Sequence, residues 1–226
     1  MTRVAIDGPA SSGKSSVGGR VAAAIGYGFL DTGLLYRAVT RAALDRDLVA
    51  APSTAAAQSV APQLEKIAQI VDAELVDGGA EIVIDGRTYG AAELESSEVE
   101  ALVPLVAALP EVRDALRGVQ RRIAGRGRAV LAGRDIGTVV LPDAPHKFFL
   151  DASAEARALR RALQRGHVEG SAEHAQILAA LVDRDREDRG RPIAPLRAAE
   201  DAVTIFTDAL TLDDVVTTIV GAIQRR

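Results

Sequence analysis

Nine residues near the start of the chain, "GPASSGKSS" (Gly8, Pro9, Ala10, Ser11, Ser12, Gly13, Lys14, Ser15, Ser16), put two glycines, four serines and a lysine into one turn. Gly8, Gly13, Lys14 and Ser15 fit G-x-x-x-x-G-K-[ST], the loop whose backbone N–H groups wrap polyphosphate. Glycine lets the backbone approach phosphate with no Cβ in the way, and a following helix points its partial positive end at the anion. Lys14 then neutralises β and γ oxygens, and the Ser15 hydroxyl is a ligand for Mg²⁺. A Gly/Ser surface turn with a chance lysine is the competing explanation, and the flanking elements decide against it.

A second set of residues is a series of arginines and aspartates. "FLDTGLLYR" (29–37) sets Asp31 and Thr32 at a strand end and Tyr36 and Arg37 on the first turns of the next helix. Ligands of open parallel sheets bind at the carboxyl ends of strands. "GRD" (133–135) repeats the arrangement, and in "DRDREDRGR" (183–191) Arg184, Asp188 and Arg191 fall at i, i+4 and i+7, on one helix face if the helix continues that far. A solvated charged face is the commoner meaning of any one such run. Three of them beside a phosphate loop favour guanidiniums that grip a second phosphorylated substrate, since planar donors hold phosphate bidentately. For Asp135 and Asp188, acceptance of substrate hydrogen bonds and a purely structural ion-pair role both stay open. His146, His167 and His174 have no carboxylate or nucleophile at motif spacing and read as surface or loop residues.

These residues need elements to position them. "RVAID" (3–7) reads as a buried strand, and "KSSVGGRVAAAIG" spaces Val17, Val21 and Ile25 for a helix that stops at Gly26. Strand, loop and helix thus come in the order the phosphate loop requires. "GFLD" (28–31), "AVLA" (129–132), "KFFLD" (147–151) and "AVTIF" (202–206) are further core strands. The fold class is α/β, with about five parallel strands flanked by helices. Between 70 and 90, "AELV", "AEIVI" and "RTY" are separated by "DGG" and "DG", the signals of a small inserted antiparallel meander. "RGHVEGS" (165–171) breaks two helical stretches and could be a short lid.

Composition bounds the function. The 226 residues, 48% hydrophobic, can bury a substantial core, and a net charge of −4 argues against a nucleic-acid surface. No apolar run reaches membrane-spanning length, "ALVPLVAALP" (101–110) being broken by proline. No charged-then-apolar leader precedes the first strand and there are no cysteines, so the expectation is a cytoplasmic chain without disulfides or thiolate metal sites. Of 27 basic residues only Lys14, Lys66 and Lys147 are lysines, yet one of them sits in the phosphate loop.

The motifs together resemble the bacterial cytidylate kinases, members of the nucleoside monophosphate kinase family of P-loop proteins. The likeness runs through "AIDGPASSGKSS", "FLDTGLLYR", "LPEVRDAL", "GRDIGTVVLPDAPHKFFLDASAEARALRR", "RDREDRGRPIAPL" and "EDAV", nearly end to end. It implies a single domain over 1–226, with a monophosphate-binding insert at about 60–105 and a short helical lid at about 157–172. It also implies phosphorylation of CMP and dCMP by ATP with Mg²⁺, in a monomer that binds neither nucleic acid nor membrane. By the resemblance Thr32, Tyr36, Arg37, Arg113, Arg134, Asp135, Arg184, Asp188 and Arg191 bind the monophosphate, and Gly8 to Ser16 with Arg157 bind ATP. Lys14, Arg134, Arg161 and Arg184 serve the transfer, and Ser15 the metal. A phosphate acceptor is already anionic, so no general base is required.

Three positions depart from the family pattern. Ala132 stands where an acidic residue usually supports the metal's water shell, Pro104 where a serine usually contacts the pyrimidine, and Phe206-Thr207-Asp208 where D-[ST]-[ST] is usual. A GTP switch protein is excluded, because its guanine-reading N-K-x-D needs an asparagine and the chain has none. A kinase for UMP or a small metabolite, and a non-catalytic nucleotide-binding module, are the alternatives.

Overall fold

The computed structural model describes residues 2–49, 53–76, 79–191 and 193–225. In chain order the elements are β1 (Arg3–Asp7), α1 (Lys14–Ile25), β2 (Gly28–Asp31), α2 (Gly33–Leu44), α3 (Thr54–Ser59), α4 (Ala61–Ile70), β3 (Val71–Val76), β4 (Gly79–Ile84) and β5 (Arg87–Tyr89). There follow α5 (Ala91–Leu94), α6 (Ser97–Ala108), α7 (Pro110–Gly125), β6 (Ala129–Gly133), a π-helical turn (Ile136–Val140), β7 (His146–Asp151), α8 (Ala154–Gln164), α9 (Ala172–Gly190), β8 (Val203–Phe206) and α10 (Leu212–Gln224). The strands form a five-stranded sheet in the order β2-β6-β1-β7-β8 and a three-stranded sheet in the order β3-β4-β5. The larger sheet is the expected parallel one, with β1 pairing β7 and β7 pairing β8 in parallel register. No helix among the described residues is long and apolar enough to cross a membrane.

The chain divides into two compact units, Gly28–Ala129 and Thr2–Tyr27 with Val130–Arg226. In the second, Val4, Ala5 and Ile6 of β1 are fully buried, as continuous apolar strands of a covered parallel sheet must be. α1 turns Val17, Val21 and Ala22 inward, packs on α10, and ends at Gly26 with φ 67°, the stop read from the sequence. Ser153, Ser171 and Thr211 cap α8, α9 and α10, each accepting the backbone N–H three residues on.

In the Gly28–Ala129 unit, α2 buries Leu35, Ala38, Val39, Ala42 and Ala43, and α7 buries Val112, Leu116, Val119 and Ile123, both at helical spacing. The meander of β3, β4 and β5 is antiparallel as its turn residues require. Ile84 and Arg87 face each other across Asp85 (φ 51°) and Gly86 (φ 78°), the two left-handed residues of a tight hairpin. The first turn signal, "DGG", falls partly on Asp77 and Gly78, which lie outside the described residues. Pro104 does not break its segment: α6 runs through it from Ser97 to Ala108. A proline removes one N–H from the ladder, and packing of α6 on α2 and α7 compensates. Pro110 instead opens α7, where its fixed φ suits a first helical turn.

Candidate active site

The phosphate loop leaves the carboxyl end of β1 and enters α1. Gly8 has φ 154°, and a Cβ there would come 2.2 Å from the Leu150 carbonyl oxygen, so only glycine fits. Gly13 caps α1 without a side chain, leaving the first N–H groups of the helix directed into the loop. The Lys14 ammonium donates to the Pro9 carbonyl at 2.6 Å and to Ser12 Oγ at 3.3 Å. Ser15 and Ser16 are exposed on the first turn of α1, whereas Ala10 is buried against Ala158 and Ala162 of α8 and Ile177 and Leu181 of α9. The loop is therefore packed from below and open on its N–H side.

Arg157 of α8 reaches that loop from beneath. Only 2% exposed, it donates Nε to the Ala152 carbonyl and Nη1 to the Ala10 carbonyl, both at 3.0 Å. Its other edge grips Asp185 of α9 at 3.1 and 2.5 Å, a two-pronged guanidinium–carboxylate pair. The arginine expected at ATP thus braces the phosphate loop in this structure. Arg161, one turn on, donates to Ser11 Oγ at 3.4 Å.

Asp188 organises the arginine cluster. It is 1% exposed and takes Arg134 Nε on one oxygen at 2.8 Å and Arg191 Nη2 on the other at 2.5 Å. Burial pushes its carboxyl up, but Arg134, Arg191 and Arg184 outweigh burial and hold it below the usual carboxylate range. Burial is also the largest influence on Arg184, lowering its pKa, and Arg134, Arg161 and Arg191 add to it. Arg134, Arg184 and Arg191 thus gather around a single carboxylate, with Arg161 beside Arg184. A guanidinium stays charged under any such shift, so the cluster is net positive and suited to phosphate.

Asp135 precedes the π-helical turn, and its carbonyl accepts the Val139 and Val140 N–H groups at 2.9 and 3.1 Å. Sequence reasoning passed over Asp7, the last residue of β1. It is 3% exposed and accepts Ile136 N–H and Gly137 N–H, each at 2.7 Å. The only hint in the sequence was a carboxylate closing an otherwise apolar strand. Ala132 is buried in β6, while Phe206 at the end of β8 is 69% exposed. Thr207 is held by Arg160, which donates to both its hydroxyl and its carbonyl, and Asp208 accepts from Ser153 N and Oγ. His146 differs from expectation: it opens β7 opposite Val4 and is buried, because the strand begins one residue earlier than its apolar run. His174 Nδ1 accepts the Gly170 N–H at 3.1 Å, a role internal to the α8–α9 connection.

In the Gly28–Ala129 unit, Thr32 is buried at the start of α2 and Asp31 Oδ1 accepts Gly33 N–H at 2.9 Å. Arg37 donates to the Leu94 carbonyl at 3.1 Å. The buried Arg113 places its guanidinium 5.8 Å from the Tyr36 ring centre and donates to the Ala107 carbonyl. Tyr36 and Arg113, 77 positions apart in sequence, are thus brought together. Pro104 is exposed on α6.

The family model described as cytidylate kinase matches residues 4–225. The chain belongs to the cytidylate kinase family. It is 42% identical over 227 residues to the cytidylate kinase of Limosilactobacillus fermentum, covering 99% of this chain and 96% of that one. It is 40% identical over 222 residues to the cytidylate kinase of Streptococcus gordonii, covering 95% and 92%. The family identified from the motifs is borne out. Among solved structures, a gluconokinase from Sinorhizobium meliloti 1021 aligns at a TM-score of 0.44 and 18% identity over 99% of this chain and 92% of its own, too loosely to bear on function. The exposed Ser15 hydroxyl beside the loop is a hard oxygen donor of the kind Mg²⁺ takes.

Proposed function

We propose that the chain transfers the γ-phosphoryl group of ATP to CMP or dCMP, giving ADP and CDP or dCDP. The observation that carries this reading is the cluster of Arg134, Arg184 and Arg191 around one buried carboxylate, with Arg161 beside Arg184, in the same unit as a complete phosphate loop. A hydroxyl acceptor would call for a positioned base, whereas a monophosphate is itself an anionic nucleophile whose oxygen attacks in line. What the protein must supply is alignment and positive charge along the path of the phosphoryl group.

In this reading the loop from Gly8 to Ser16 binds the donor's phosphates, and Lys14 exchanges the Pro9 carbonyl for β and γ oxygens. Arg157 serves the donor through the loop it braces. The Ser15 hydroxyl would hold Mg²⁺, which when bound would supply positive charge to the phosphates. Arg134, Arg161 and Arg184 meet the transferring group, and Arg191, Asp188 and Asp135 orient the acceptor. Within the Gly28–Ala129 unit, Thr32, Tyr36, Arg37 and Arg113 are assigned to the monophosphate.

The test is a coupled ADP-release assay with AMP, CMP, dCMP, UMP and GMP, with and without Mg²⁺. Mg²⁺-dependent turnover that prefers CMP and dCMP supports the reading. Comparable turnover of UMP would support the looser pyrimidine kinase that Pro104 suggests, and ATP binding without turnover on any acceptor would refute catalysis.

A further inference from the structure

We infer that Asp7 is a positioning residue whose ionised carboxylate locks the end of the phosphate-loop strand to the turn that immediately follows Arg134 and Asp135. The inference rests on the kinase reading above and adds a residue to it. Asp7 immediately precedes Gly8, and Ile136 and Gly137 immediately follow Asp135, yet the two segments are separated by 129 and 130 positions in sequence. Their link is a pair of 2.7 Å bonds, one to each carboxylate oxygen. Both donors are the first N–H groups of the π-helical turn, which its own ladder cannot satisfy. Short π segments recur where a fold departs from regular geometry to serve a site.

The approach is close enough to dictate the partner residue. A Cβ on Gly137 would lie 3.3 Å from Asp7 Oδ2 and 3.2 Å from Lys147 Cδ, so any side chain there would have to push the carboxylate or the lysine aside. Just before the same turn, the Arg134 side chain is fixed by Asp188. The Arg134–Gly137 segment is thus held at two points, by Asp188 through the arginine side chain and by Asp7 through the Ile136 and Gly137 N–H groups.

Only the carboxylate can accept both N–H groups. Protonation converts one acceptor oxygen into a hydroxyl aimed at an N–H, and one bond of the pair is lost. The charged groups around it are Asp135 and Lys14, with Lys147 of β7 against Gly137. Burial raises the Asp7 pKa to about 6, more than the Gly137 and Ile136 N–H bonds lower it, with Asp135 raising and Lys14 lowering it further. For this group the unfolded chain, with its carboxyl near 3.8, binds fewer protons than the folded one between 3.8 and about 6. Its contribution to stability is therefore greatest at acid pH and falls as pH rises through that window. A buried charge kept at a cost in stability at neutral pH is what a working residue looks like, and a merely structural one does not.

The experiment compares wild type with Asp7→Asn, which keeps the shape and removes the charge. Below about pH 6 the wild-type log kcat/KM for CMP should fall with a slope of two, one proton belonging to Asp7 and one to the acceptor's phosphate, whose second ionisation lies near 6. In Asp7→Asn, kcat/KM at neutral pH should drop at least tenfold, the slope should become one, and the melting temperature should hold or rise. Gly137→Ala should lower kcat/KM from the other side of the contact. Should Asp7→Asn keep wild-type kcat/KM, keep a slope of two, or lose activity only in step with its melting temperature, the inference is wrong. A readout independent of turnover is the Arg134 Nε–H resonance in the full chain. It should move with a midpoint near pH 6 in wild type and not in Asp7→Asn, and a resonance indifferent to both refutes the inference even if the kinase reading itself fails.

Discussion

Asp188→Asn replaces the one buried carboxylate of the arginine cluster with an amide of the same shape. The amide keeps one oxygen for Arg134 or Arg191 but turns an NH₂ toward the other, and the negative charge among Arg134, Arg184 and Arg191 is gone. Removing one partner of a buried ion pair costs about 3 to 5 kcal/mol. Here the arginine side chains are 21% and 25% exposed, so water screens part of the repulsion and about 2 to 3 kcal/mol is expected. For a chain of this length each kcal/mol moves the melting temperature by roughly 2 to 4 °C, which gives a fall of about 4 to 12 °C. Because the Asp188 pKa is lowered, its stabilisation is fully present above the unfolded value of 3.8 and disappears only as pH falls through the still lower folded value. The gap between variant and wild type should accordingly be constant from pH 5 to 8 in differential scanning calorimetry. Added inorganic phosphate should stabilise the variant more than wild type, since it supplies the missing charge to the same guanidiniums. Equal melting temperatures, or equal stabilisation of both proteins by phosphate, would refute the account of Asp188 as the keystone of the cluster.

Lys14→Ala is expected to nearly abolish turnover, a loss of several kcal/mol in transition-state stabilisation, with an unchanged circular dichroism spectrum. Arg184→Met should lower kcat by two orders of magnitude or more while the KM values change little, measured at saturating ATP and CMP. Ala132→Glu should lower the Mg²⁺ concentration for half activity, and its melting curve must be recorded alongside because the site is 1% exposed. Pro104→Ser should sharpen the CMP over UMP ratio in kcat/KM by about two- to tenfold, the worth of one hydrogen bond, and also raise the melting temperature by restoring an N–H to the middle of α6.

The parts of the molecule that could be read in advance are those whose cause is local. β1, β2, β6, β7 and β8 fall within one residue of their apolar runs; in β1, β6 and β7 near-continuous burial leaves continuous hydrophobicity, whereas β8 buries only Ile205. The β4–β5 turn was legible in two residues, Asp85 and Gly86. The short helices α3 and α5 were not singled out, since six and four residues are too few to establish a period. At the site, the phosphate-loop spacing was legible, but the helical face was only partly so: Arg184 and Asp188 share α9, whereas Arg191 lies just past its end at Gly190 in extended backbone. The Arg157 brace was not: its partners Ala10 and Asp185 lie 147 and 28 positions away, and nothing in "AEARALRR" distinguishes a strut from an exposed cation. Asp7 escaped for the same reason, a contact across some 130 positions being invisible to any local pattern.

The division of labour between arginine and lysine follows from what each group must do when phosphate arrives. Arg157 is locked by two carbonyls and Asp185, and Arg134 and Arg191 share Asp188, so the planar forks are oriented before any substrate binds. Fixed donors need no reorganisation during transfer, and that is the condition under which electrostatic stabilisation is most effective. Lys14 is different in kind: its ammonium is a point charge on a flexible stem, donating to the Pro9 carbonyl and Ser12 Oγ with the Asp7 carboxylate in its field. In the proposed transfer such a charge would follow the phosphoryl group from donor toward acceptor, which a guanidinium gripped by a carboxylate would not. On that reading a chain so rich in arginine keeps lysine at the phosphate contact that has to move.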